Sequence, residues 1–268
     1  MAPLPRTDTL SHIRGRPVIV DCNAYVGQWP HWFNKYMSVE GLLRLMDGHG
    51  VDRAVVASLQ CVDTNPAAGN EEAAAAVTRH PGRLSWFCSV CPSEDEQALT
   101  ELERAAARGA KGLRLFPQHQ VWGLNTDPNV GAVVALAQRL GLSVQLPLRL
   151  IMDWSLPVLP LGEVRSFVGR FPECTFILSG VNYPEHRLAV DILQKHPNTL
   201  LETSCLMGRD EVKDLVERVG AERLLLGLGL PLQSAQAGLV KVEKARIEAA
   251  AKQLILGGNA ARLLDRRS

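Results

Sequence analysis

The stretch Val18-Ile19-Val20-Asp21-Cys22-Asn23-Ala24-Tyr25 joins a short β-branched run to several polar side chains and leads into a long connection, Val26 to Met37. Similar apolar runs return along the whole chain, at Ala54 to Gln60, Leu84 to Val90, Gly112 to Phe116, Ser143 to Leu148, Thr175 to Ser179, Leu200 to Thr203 and Leu224 to Gly227. Each is separated from the next by a longer segment of helical period, the signature of repeated strand–helix units around a parallel sheet. None alternates cleanly between polar and apolar, as befits strands covered on both faces. Eight such units predict an α/β fold, a (β/α)8 TIM barrel in a single domain over residues 18–268, with residues 1–17 as an N-terminal extension.

Helix punctuation supports this division. Ser93 with Glu96 reads as a capping box, and Asp127-Pro128 places a cap before a first-turn proline. Gly109 and Gly141 read as helix stops, and His80-Pro81, Phe171-Pro172 and His196-Pro197 end helices just before strands.

Composition narrows the partners. The 268 residues carry 29 Lys plus Arg against 28 Asp plus Glu, so nothing electrostatic points to nucleic acid or an anionic membrane. No run approaches the roughly 20 apolar residues of a membrane span, and the N-terminal residues lack the apolar core of a signal peptide. A cytoplasmic protein with a small-molecule ligand is expected. The six cysteines are too dilute for a disulfide framework, and Cys88-x-x-Cys91 lies in a strand and its exit rather than at a helix start.

Three segments resemble the amidohydrolase-related family of metal-dependent TIM-barrel hydrolases and decarboxylases. They are Val20-Asp21-Cys22-Asn23-Ala24-Tyr25-Val26-Gly27, Leu226-Gly227-Leu228-Gly229-Leu230-Pro231, and Gly257-Gly258-Asn259-Ala260-Ala261-Arg262-Leu263-Leu264. In that family the first segment carries a His-x-His pair and the second an Asp just before the Pro. Here the histidine positions of the first strand hold Asn23 and Tyr25. The fifth- and sixth-strand histidine positions fall at Pro147 and Gly180, and the eighth-strand aspartate position at Gly229. The resemblance therefore implies the family barrel with no metal ligands, and no cofactor is expected.

Site candidates come from strand ends on the C-terminal face, where this fold builds its binding sites. Period-two alternation directs Asp21, Asn23 and Tyr25 inward if the resemblance holds. Arg114 should also face inward, as a structural ion pair with Asp21 or Glu202 or as a ligand anchor. His119, in the connection after the fourth strand, is the best acid or base, with a solvated loop histidine as the alternative. Tyr25 and Glu202 complete the catalytic candidates. Asn23, Trp29, Arg114, Gln145, Arg149 and Asp153 are the candidate ligand contacts, Arg149 either gripping a carboxylate or pairing with Asp153. Trp29, Trp32, Phe33 and Tyr36 crowd one connection and could form an apolar lid or the contact of a homodimer. Two functions follow: a metal-independent hydrolase or lyase for a small carboxylated or lactone-like molecule, or an inactive homologue that binds small molecules or proteins.

Overall fold

The computed structural model describes residues 16–28, 37–63, 65–151 and 156–265. Eight parallel strands form one sheet in sequential order: β1 Val20–Val26, β2 Arg53–Ser58, β3 Leu84–Cys88, β4 Gly112–Arg114, β5 Ser143–Pro147, β6 Phe176–Ser179, β7 Thr199–Glu202 and β8 Leu224–Leu225. Main-chain bonds from Cys22 N–H to Leu226 O (2.8 Å) and from Tyr25 N–H to Leu230 O (2.7 Å) join β1 to the chain leaving β8 and close the barrel. Helices alternate with the strands, from Val39–His49 to Ala235–Glu243, and a last helix, Asn259–Leu264, follows. Each expected strand is present, with ends shifted by a few residues.

Some local expectations are corrected. Ser93 does not cap the next helix, which starts at Glu96; its hydroxyl donates instead to Asp127 (2.6 Å). Asp127 accepts the Asn129 N–H (2.9 Å), but Asn129 is the cap position of helix Val130–Arg139, so Pro128 stands before the helix and not in its first turn. Gly109 and Gly141 take φ of +88° and +71°, the left-handed conformation of helix stops. Strand β4 is cut short because Pro117 opens a helical turn, Pro117–Gln120, which carries His119. No helix among the described residues is long and apolar enough to cross a membrane.

The largest apolar cluster lies between sheet and helices, and two smaller ones lie elsewhere. Val20, Cys22, Val55, Phe87, Ile177, Leu200 and Leu225 gather with Ala260 and Leu264 of the last helix. Because these strands are not all neighbours, their side chains can meet only inside the barrel. At the opposite end Tyr25, Leu59, Phe116, Leu150, Ile151 and Leu232 cluster around Met37 and Cys61. Two residues beyond the lower layer, period two places Ala57, Ser89, Ser179, Glu202 and Gly227 on the inner face, level with Arg114 and Gln145. The barrel is thus apolar at both ends and polar in its middle.

Strand β1 departs from the expected alternation. Asp21 pairs with Ala54 and Ala24 with Val56, three steps on one strand against two on the other, so a β-bulge intervenes. Cys22 and Tyr25 both join barrel clusters, while Ala24 and Val26 pack outward against the helices. Asp21 leaves the face of Asn23 and Tyr25 and enters the seam with β8.

Candidate active site in the barrel core

Asp21 fastens that seam. One carboxylate oxygen accepts the N–H groups of Asn23 (2.9 Å) and Leu228 (2.8 Å), and the other faces the N–H of Leu230 at 3.4 Å. Burial pushes this carboxyl up to about 6, against the pull of those same bonds. The folded chain therefore holds a proton that the unfolded chain has released between about pH 4 and 6, and folding stability falls as pH rises through that window. The shift corresponds to about 3 kcal/mol. An Asp21→Asn variant should lose this slope: urea unfolding at pH 4.5 and 7 should show the wild type gaining stability relative to the variant at the lower pH, and parallel profiles would contradict the assignment.

Glu202, at the end of β7, is saturated with donors. Its Oε1 accepts from Ser179 Oγ (2.7 Å), Gly180 N–H (2.8 Å), Ser204 Oγ (2.8 Å) and Asn23 Nδ2 (3.4 Å), and its Oε2 accepts from Ser204 N–H (2.7 Å). Lys241, its amine pushed down in pKa by burial, donates to the carbonyls of Thr203 (2.8 Å) and Ser204 (3.0 Å) and pins the same strand end. The buried Cys205 thiol receives Gln233 Nε2 at 3.4 Å, and burial raises its pKa. Cys88 also titrates above its usual range because it is buried, which removes the reactivity a redox C-x-x-C needs.

Arg114 is fully buried, yet the expected pairing with Asp21 or Glu202 does not form, because both carboxylates are committed elsewhere. Its Nε donates to Gln145 Oε1 (2.9 Å), its Nη1 to Ala24 O (3.3 Å), and its guanidinium lies 4.8 Å from the centre of the Tyr25 ring. Among the described residues four buried atoms of this core lack a hydrogen-bond partner: Arg114 Nη2, Gln145 Nε2 and Tyr25 Oη, which lie together, and Asn23 Oδ1 on the Glu202 side. The amide orientations follow from chemistry. Arginine can only donate, so Gln145 turns its oxygen to Arg114 and leaves its NH2 free; Glu202 as a carboxylate can only accept, so Asn23 turns its NH2 there and leaves its oxygen free. Burial pushes the Tyr25 hydroxyl up to about 12, making it a donor rather than a base near neutrality.

Arg149 pairs with Glu185 through two nitrogens, Nη1 to Oε2 at 2.8 Å, and Nη1 also donates to Gly180 O (2.9 Å). Glu185 in turn accepts the Asn182 N–H (2.8 Å) in a capping box. The sequence Asn182-Tyr183-Pro184-Glu185 carries that signal, which was missed along with Ser179 and Ser204. His119 is half-buried on its helical turn at the mouth. Trp29 and Asp153 lie outside the described residues, as do Trp32, Phe33 and Tyr36.

The positions that the family resemblance assigns to metal ligands do not fit a zinc or manganese ion. Pro147, Gly180 and Gly229 have no side-chain donor, and Gly180 and Gly229 adopt φ of +75° and +66°, where an L side chain is strained. A Cβ on Gly180 would stand 2.6 Å from the Arg149 carbonyl oxygen. Asn23 and Tyr25 are weak ligands, and the Arg114 cation stands over the Tyr25 ring. Among the described residues no three His, Cys, Asp or Glu side chains gather as a metal-binding group.

Residues 29–266 match the model of the amidohydrolase family. No curated protein matches the chain. Similar solved structures include a 5-carboxyvanillate decarboxylase from Sphingomonas paucimobilis (16% identity, TM-score 0.70, covering 93% of this chain and 99% of that one). A probable 2-pyrone-4,6-dicarboxylic acid hydrolase from Acinetobacter baumannii, solved with citric acid, aligns at 15% identity and TM-score 0.68 over 92% and 98% of the two chains. A dihydroxybenzoic acid decarboxylase from a Polaromonas species, with bound manganese and 2-nitroresorcinol, aligns at 18% and 0.68 over 94% and 98%. At such identities the likeness concerns the fold alone.

Proposed function

Because the chain belongs to the amidohydrolase family but presents a donor set unsuited to that family's cation, we propose that it is a metal-independent hydrolase or lyase acting on a small carboxylated or lactone-like molecule. The observation that carries this reading is the group of unpaired buried atoms on Tyr25, Arg114, Gln145 and Asn23 in the barrel core. A buried polar atom without a partner costs about 1–3 kcal/mol, so several in one place mark a site completed by a ligand. The carboxylated substrates named for similar barrels, a 5-carboxyvanillate and a 2-pyrone-4,6-dicarboxylic acid, agree with this chemistry.

In this reading Tyr25, protonated at neutral pH, donates to a carbonyl or leaving-group oxygen, Gln145 and Arg114 orient the ligand, and Asn23 accepts from it. His119, half-buried on the turn after β4, serves as the proton-transfer group in this reading. Metal-stripped protein incubated with lactones and carboxylated esters should release product, followed by NMR, and Tyr25→Phe should lower kcat/KM by about 100-fold.

A second reading, an inactive barrel retained for binding, is favoured by one feature: Asp21 and Glu202 are both occupied by main-chain and hydroxyl donors, which leaves neither carboxylate free as a base. Ligands that bind without turnover in wild type would select it.

A further inference from the structure

We propose that Arg114 is the resident cation of this barrel, standing where the family seats a metal ion and pairing with the anionic end of the ligand, so that the site selects a carboxylate over its neutral isostere. This inference rests on the ligand-site reading above and narrows it to anions.

A guanidinium stays charged in any protein interior, and burying it without a counter-ion is costly. Arg114 is wholly buried, and no carboxylate pairs with it among the described residues. Among the described residues its direct contacts are dipolar or quadrupolar: the Gln145 oxygen, the Ala24 carbonyl, the Tyr25 face at 4.8 Å and the Phe87 face at 5.9 Å. The two carboxylates of the barrel core cannot turn to it without abandoning their own donors, three N–H groups at Asp21 and a set of N–H and O–H groups at Glu202. Asp21 and Glu202 offset part of the charge from within the core, but the free Nη2 of Arg114 is left for something that enters. Three of the four unpaired atoms, Arg114 Nη2, Gln145 Nε2 and Tyr25 Oη, carry hydrogens, which is the complement of an anion with several lone pairs. The same charge repels a divalent ion from the adjoining Tyr25, adding to the missing donors at Pro147, Gly180 and Gly229.

The test is thermal unfolding of metal-stripped wild type with formate, acetate and benzoate, each against its amide, and separately with manganese or zinc chloride. At least one carboxylate should raise the midpoint saturably, by several degrees at about 100 times its Kd, while the matching amide and both metals leave it unchanged. Arg114→Met should abolish the carboxylate response and unfold, without ligand, at or above the wild-type midpoint, since it removes an uncompensated charge; a merely structural arginine would lower that midpoint. Equal stabilisation by a carboxylate and its amide, a saturable metal response lost in Tyr25→Phe, or a carboxylate response kept in Arg114→Met overturns the inference alone. Silence from all six organic probes overturns the ligand-site reading with it. If Arg114→Met does not fold, the carboxylate-against-amide comparison in wild type decides.

Discussion

Gly227→Ala should cost the protein about 3 kcal/mol or more of folding stability, because the new methyl has no room. A Cβ at this position would fall 1.5 Å from Glu202 Oε2 and 3.2 Å from the Ser204 nitrogen. A flexible surface carboxylate would swing aside. Glu202 cannot, since Ser179, Gly180, Ser204 and Asn23 hold both of its oxygens. Either the seam between β7 and β8 opens or several charge-assisted bonds, each worth about 1.5–3 kcal/mol, are lost. Urea unfolding measures the loss. Gly48→Ala is the control: it lies in helix Val39–His49 where a Cβ meets nothing within 4 Å, and should gain about 0.5–1 kcal/mol. A wild-type midpoint for Gly227→Ala would refute the packing of Glu202 against the eighth strand.

Glu202→Gln should also destabilise, by about 2–4 kcal/mol, despite conserving volume. The carboxylate takes donors at both oxygens, whereas the amide must turn its NH2 toward either the Ser204 N–H or the Ser179, Gly180 and Ser204 donors. One buried donor then faces another. Denaturant unfolding beside a turnover assay separates two roles for this residue. If Glu202 only scaffolds the β6, β7 and β8 ends, stability falls; if it were the catalytic base, activity would vanish while the unfolding midpoint stayed near wild type, and that outcome would falsify the scaffolding assignment.

The apolar runs and the helical periods between them were enough to read eight strands in order and one barrel, because strands covered on both faces need continuous Val, Ile and Leu, and parallel neighbours need a crossover between them. The family resemblance was equally legible, as was the absence of ligand atoms at Pro147, Gly180 and Gly229. That Tyr25, Arg114 and Gln145 face inward followed from alternation together with the family resemblance. Pairing was not legible. Arg114 was expected beside Asp21 or Glu202, but the bulge in β1 turns Asp21 into the seam with β8, and main-chain N–H groups from segments some 200 residues away take its oxygens. Glu185, which meets Arg149 at the barrel mouth, is 36 residues away in the chain, and no local pattern pointed to it.

The sequence alone therefore determined the architecture and which side chains could enter the core, since burial and strand period are local properties of the chain. The tertiary structure decided which of those side chains satisfy one another and which are left over. Hydrogen-bond satisfaction depends on where main-chain N–H and C=O groups from distant strands arrive, and no local pattern records that. The leftover set, a buried guanidinium with a free arm beside an unpaired amide and phenol, exists only once the barrel has closed around it.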